Sequence, residues 1–237
     1  EKELAEITDL IGSYTTNFAS SSAGRAKNVI TGVSKVDGTI LYPGEEFDLA
    51  KTVSPFTQEN GYELAGAYQN GTVVESFGGG ICQVATTLYN AVIRAELEIT
   101  MRFNHSMLVH YVEPSMDAAI AGNYKDLKFK NNLDAPVYIE GYCSGGIIYF
   151  NVYGKETRPS NREISFESET VSKTDPKVQF TMDASLTAGS VSVTQSGQSG
   201  CIAQLWKIVK VDGKQQSRDL FNKSNYQATP KLITIGT

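Results

Sequence analysis

Histidine and cysteine are scarce in this chain. Two histidines, His105 and His110, and three cysteines, Cys82, Cys143 and Cys201, occur among 237 residues. Any imidazole chemistry must use one of the two. The cysteines lie far apart with no Cys-x-x-Cys pair, too few for a disulfide scaffold and wrongly spaced for structural zinc. The histidines are five apart, not the four of a helical metal pair, and no His-Glu-x-x-His is present. Neither a metal nor a cofactor is expected. Long apolar runs are missing too, so no segment approaches the roughly 20 residues a helix needs to cross a bilayer. The opening Glu1-Lys2-Glu3 has no signal-peptide pattern, so any export signal or membrane anchor is expected to have been removed or never to have been present. Basic excess is also lacking: 21 Lys and Arg against 26 Asp and Glu leave a net charge of −5. That balance, with no basic block, argues against nucleic acid as a partner.

What is present is enough for a core. Twelve Tyr, ten Phe and 41% hydrophobic residues rule out disorder over most of the length. The length suits one large domain or two modest ones. Residues 1–9 read as a polar helical lead-in and 11–18 alternate like a strand. Ala26, Val29, Ile30 and Val33 recur at helical spacing, and Asp37-Gly38 ends that helix. A strand over 39–42 and a turn at Pro43-Gly44 follow, then a short helix over 59–67. Val84, Leu88, Ala91, Val92 and Ala95 fit one face of a second long helix. Strands are expected at 98–103, 107–112, 126–130, 136–142 and 147–153. This is an α+β pattern of helices packed on a mainly antiparallel sheet. From about Gly154 to Ser160 the composition shifts. Short Val, Ile and Phe runs at 164–166, 191–194, 202–211 and 231–235 then alternate with Ser, Thr and Gly. The expected organisation is a domain over 1–155 and a small all-β domain over 156–237.

Cys82 is the candidate nucleophile. Gly78-Gly79-Gly80 leads into the second long helix and puts Cys82 in its first turn. There, unpaired N–H groups and the helix dipole favour a thiolate. The glycines let a substrate approach the backbone closely and leave N–H groups for an oxyanion. The competing reading is a small packed hydrophobe. A phosphate loop is excluded because no Gly-Lys-Ser/Thr follows. A cysteine nucleophile needs a base. On one strand, residues five apart face opposite sides, so only one histidine would share a site with Cys82. His105, in the polar run Arg102-Phe-Asn-His-Ser106, is favoured over His110, which lies between Val109 and Tyr111. Asp117, Asn104 or a backbone carbonyl would orient that base, and Arg102 suits a substrate carboxylate. A Cys82–Cys143 disulfide would end the nucleophile reading.

Several runs together resemble the VanW domain family: Arg25-x-x-Asn28-x-x-x-Gly32, Leu41-Tyr-Pro-Gly-Glu-Glu-Phe-Asp48, Asn60-Gly-Tyr and Gly78-Gly-Gly-Ile-Cys-Gln-Val-Ala-Thr-Thr-Leu-Tyr-Asn-Ala. Arg102-Phe-Asn-His-Ser, Tyr111-Val-Glu-Pro, Asp117-Ala, Asp126-Leu-Lys-Phe-Lys-Asn and Val152-Tyr-Gly154 continue it in order over about residues 10–155. Beyond Arg158, the runs Leu186-Thr-Ala-Gly189, Gln195-Ser-Gly-Gln-Ser-Gly200, Val211-Asp-Gly213 and Ile235-Gly-Thr237 resemble a G5 domain. The resemblance implies a bacterial envelope protein in the glycopeptide-resistance family, acting outside the cell on peptidoglycan stem peptides and cell-wall glycan. It implies an L,D-transpeptidase with Cys82, His105 and Asp117 as catalytic residues. Gly79, Gly80, Gln83, Arg102 and Ser106 would contact substrate. Ser115-Met-Asp117 departs from the pattern, which more often has glycine before the aspartate. A peptidoglycan carboxypeptidase or endopeptidase and a non-catalytic wall-binding protein are the alternatives. The G5-like part is expected to be separable and to position the first.

Overall fold

A computed structural model of the chain describes residues 4–69, 72–122 and 124–237. Of the expected helical lead-in, Glu1-Lys2-Glu3 lies outside the described residues and Leu4–Glu6 forms a single 3-10 turn. The first half contains β1 (Asp9–Asn17), α1 (Ala23–Val36), β2 (Thr39–Leu41), β3 (Glu46–Asp48), α2 (Leu49–Val53), β4 (Leu64–Gln69) and β5 (Thr72–Phe77). It continues with α3 (Ile81–Arg94), β6 (Glu98–Met101), β7 (Lys128–Lys130), β8 (Val137–Ser144) and β9 (Ile147–Gly154).

An antiparallel sheet of order β1-β9-β8-β2 forms the floor, and α1 and α3 pack on it. Alternation sets the sheet's inner face: Ile148, Phe150 and Val152 of β9 and Val137 and Ile139 of β8 are fully buried. Helix α1 starts at Ser22, whose hydroxyl accepts the Arg25 N–H, and it buries Val29, Val33 and Val36. Helix α3 differs in being buried on nearly every side. Such a helix must satisfy its polar side chains internally. Thr86 Oγ1 donates to the Ala118 carbonyl, and Asn90 Nδ2 donates to the carbonyls of Thr86 and Met116.

Two expected elements differ. Residues 59–67 are not a helix: Gly61, at φ 87°, closes a turn, and the chain then enters β4, which pairs with β5. Residues 107–112 are not a strand. The stretch between β6 and β7 runs irregularly over α3, with one isolated bridge between Ala121 and Lys125. Its backbone groups bond to side chains, to one another and to the segment just after β14 of the second module, as in Gln227 N–H to the Ser106 carbonyl, rather than to a neighbouring strand.

The second half is all strand: β10 (Arg162–Thr174), β11 (Val178–Asp183), β12 (Val191–Gln195), β13 (Gly200–Val211), β14 (Lys214–Tyr226) and β15 (Lys231–Gly236). A proximal sheet, β10-β13-β14, is antiparallel, and in a distal sheet, β11-β15-β12, the first pair is parallel. The expected all-β character is there, but strand occupies 46% of the chain and helix only 16%, so the α+β description fits the first half alone. The core crosses the junction, since Leu205 of β13 is buried in the same cluster as α3, with Phe166 and Phe221 against it. Glu96 is clamped at this junction by Arg162 at 2.6 and 2.8 Å and by Lys207. Burial would push its carboxyl up, but those two cations hold it down at about 2. No described helix is long and apolar enough to cross a membrane.

Candidate active site

Cys82 is the second residue of α3. Gly80 caps the helix without a side chain, at φ 111°, and a Cβ there would meet Val29 Cγ2 at 3.0 Å and Arg25 Cγ at 3.1 Å. At Gly79 a Cβ would lie 2.8 Å from two carbonyl oxygens of β4. The glycines therefore let α3 begin against α1 and β4, with the thiol at a cavity of about 920 Å³. Phe18, Phe56, Phe77, Arg25, His105 and His110 are among its walls. In the first turn, the Ile81 and Gln83 N–H groups bond to the carbonyls of Gly78 and Gly80. Among the described residues, that leaves the Cys82 N–H for an oxyanion.

The irregular stretch delivers His105 to the cavity. The His105 ring stands near enough to the Cys82 thiol for each to shift the other's titration, and its Nδ1 lies 2.6 Å from Asp117 Oδ2; the thiol itself donates to the Ile120 carbonyl at 3.4 Å and accepts the Ile120 N–H at 3.5 Å. Because Nδ1 is committed to the carboxylate, Nε2 is the nitrogen left for sulfur. Asp117 is 1% exposed and receives four donors. The His105 backbone N–H (2.7 Å) and the His105 ring bind Oδ2; Arg102 Nη2 (3.0 Å) and the Tyr226 hydroxyl bind Oδ1. The electrostatics follow. Burial alone would raise the Asp117 carboxyl, yet His105 and Arg102 hold it below the usual range. Burial would lower His105, but Asp117 and the thiol raise it to about 9. Burial would raise the Cys82 thiol, but His105 and the Ile120 N–H bring it below its ordinary value. Each of the two groups thus favours the charged form of the other.

The other expected residues have different tasks. Arg102 is no substrate binder. Its guanidinium is buried and committed to Asp117, Ser115 and Ser224, and it lies over the Tyr89 ring. Gln83 is buried too, its amide donating to Thr16 Oγ1 (3.0 Å) and the Asn17 carbonyl (2.9 Å) while Oε1 accepts from Arg25. Ser106 is exposed and outside the cavity wall. Gly79, Gly80 and the edge of Gln83 do line the cavity. His110 is exposed at the cavity, not packed in a strand, so the opposite-face argument that separated the histidines does not apply. Asn104 donates to backbone carbonyls rather than to the imidazole. All three cysteines are free, so Cys82 and Cys143 form no disulfide. Among the described residues, no three His, Cys, Asp or Glu side chains group as a metal would need.

Three supports were not foreseen, and all come from β14. Tyr226, 2% exposed, donates to Asp117 and accepts the Ser115 N–H at 2.7 Å. Ser224 Oγ accepts from Arg102 at 2.9 Å, and Asn222 bonds to Ser115 and Tyr89. Ser115 sits at φ 70°, a backbone region that favours glycine. Here its hydroxyl instead meets Asn222 and Ser224. With Tyr226 and Asp117 separated by 109 positions, no local signal could have joined them.

The VanW-like protein family model matches residues 24–153, and the G5 domain model matches 166–237. The Bacillus subtilis (strain 168) protein YoaR, described as uncharacterized, is 36% identical over 65% of this chain and 51% of its own length. The vancomycin B-type resistance protein VanW of Enterococcus faecalis (strain ATCC 700802 / V583) is 26% identical over 47% of this chain and 42% of its own. The chain thus spans about half the length of these curated relatives. A solved G5 domain of IgA1 protease is 26% identical, with TM-score 0.24, over 32% of this chain and 92% of that one. The HP0197 G5 structure is 24% identical, with TM-score 0.19, over 31% and 99%. A VanW-like region joined to a G5 domain fits a protein of the cell wall.

Proposed function

We propose that this chain, which belongs to the VanW-like protein family, is a cysteine acyltransferase acting on peptidoglycan stem peptides. The observation that carries the reading is the Cys82–His105–Asp117 constellation at an open cavity. The proposed reaction is L,D-transpeptidation. The Cys82 thiolate attacks the carbonyl of residue three in a tetrapeptide stem, and the oxyanion forms against the Cys82 N–H. Collapse breaks the amide bond, His105 delivers its proton to the departing D-alanine amine, and a thioester remains on Cys82. An amine of a neighbouring stem then attacks the thioester, His105 takes up a proton, and a 3–3 cross-link leaves with the thiolate restored. Asp117 holds the imidazole orientation and stabilises its charged form, as the acidic member of a triad does. The G5 region would bind cell-wall glycan on the extracellular face of the envelope. The test is incubation with tetrapeptide muropeptides and mass analysis for 3–3 linked dimers. Dimers from wild type and none from Cys82→Ala are expected. Identical product patterns from both would sink the proposal, and trimmed monomers from wild type would replace transfer with hydrolysis.

A further inference from the structure

Six arginines occur in the chain. Arg102, Arg158, Arg162 and Arg218 each pair with a carboxylate within 4.0 Å. Arg94 is held between the Tyr14 and Phe166 rings and against Asn90. Among the described residues, Arg25 has neither arrangement, and it alone of the six lines the Cys82 cavity. Its Nη1 donates to Ser21 Oγ at 2.6 Å and its Nη2 to Gln83 Oε1 at 2.8 Å, both neutral acceptors. A guanidinium carries five N–H donors, so those two bonds leave most of the fork unused. It is also rigidly placed. Gln83 is the residue after the nucleophile, and its amide is fixed by Thr16 and Asn17, with Thr16 fixed in turn by Thr87 at 2.7 Å. Arg25 and the Ser22 cap form the first turn of α1, the positive end of that helix. A half-buried cation held by neutral groups, open to a cavity and anchored one residue from the thiolate, is built to receive an anion.

We infer that Arg25 forms a carboxylate subsite that reads a free carboxylate of the acyl donor close to the bond being broken. This deepens the acyltransferase reading and rests on it for the identity of the donor. The carboxylate is either the α-carboxylate of the terminal residue or one on the side chain of residue three. Arg25, not Arg102, would then select anionic peptides, with Phe56 and Phe77 covering the apolar part of the chain.

The test separates the subsite from the reaction. Cys82 is alkylated with iodoacetate and, in parallel, with its neutral isostere iodoacetamide; in both, the thiolate displaces iodide and a thioether forms. The wild-type rate ratio, acetate over amide, is expected to fall about tenfold or more in Arg25→Gln, the loss of one charge-assisted pair. Arg25→Lys, which keeps charge without the fork, is expected to fall between and guards against a misfolded Gln variant. An unchanged ratio would overturn the subsite, as would an equal loss of both rates, which would make Arg25 only a support for Gln83. Because alkylation needs no peptidoglycan, failure of transpeptidation leaves this result standing. Tetrapeptide donors amidated at the terminal carboxylate or at the side chain then identify the source: the group whose amidation cancels the Arg25→Gln defect is the one bound. If neither amidation touches the defect, the donor carboxylate is not what Arg25 reads.

Discussion

The two sheets of the C-terminal module are built from the same kind of strand and meet opposite fates. In the proximal sheet, Ala203, Leu205 and Ile208 of β13 are buried, and Leu205 shares the core of α3. Its edge strand β14 carries Asn222, Ser224 and Tyr226 to the residues around Asp117. The distal sheet turns an apolar ladder to solvent: Val178, Phe180, Met182, Val191 and Val193 are 51–68% exposed. Across the ladder Phe180 and Val193 flank Ile233, and Met182 and Val191 flank Ile235. Strand pairing is therefore not what ties a module to its neighbour; side-chain burial and satisfaction of buried polar groups are. Half of the module shares the core of α3 and braces Asp117, and the other half stands apart from it.

Ending the chain at Lys155 should break this comparison most severely. It removes Leu205 from the core and strips Tyr226 and Ser224 from a buried ion pair, so the remainder is expected to lose cooperative melting and selective Cys82 labelling. A folded, labelling fragment would return the module to a purely separable role. Asp117→Asn comes next. Removing one partner of a buried pair costs about 3–5 kcal/mol, and here it strands both Arg102 and His105. A lowered melting temperature together with lost acylation is expected. Tyr226→Phe is smaller and sharper, costing about 1–3 kcal/mol for a buried acceptor that loses its donor. With less neutralisation on Asp117, its hold on the imidazolium tightens, so the His105 titration should move above about 9 when followed by NMR. A melting shift with an unmoved titration would make Tyr226 packing alone. The smallest effect belongs to the distal ladder. Phe180→Ser should change stability by no more than about 0.5 kcal/mol, as exposed positions do, and leave labelling of Cys82 unchanged.

The sequence carried the helices and hairpins well where periodicity was strong. Helix α3 was legible because its apolar spacing follows a glycine run that nothing else in the chain repeats. The stretch from Arg102 to Lys125 was not, because its hydrogen bonds run to side chains and to β14, and alternation alone read 107–112 as a strand. His105 was picked out by polarity and by resemblance, while the strand geometry offered for that choice is absent. Arg102 looked like a substrate binder because sequence shows a polar side chain but not the partners that occupy it. Tyr226 was invisible for the same reason at longer range.

The central claim is that Cys82 is an activated thiolate paired with His105, and its alkylation rate across pH tests that most directly. The thiol is held below its ordinary value and His105 is raised to about 9, so the pair should break as pH rises and His105 loses its proton. Cys143, pushed up to about 11 by burial, is the internal reference. Near pH 7, Cys82 is expected to label far faster than Cys143, and His105→Ala should shift its reactive limb to higher pH. A Cys82 that labels no faster than Cys143, with a profile indifferent to His105→Ala, would contradict the account.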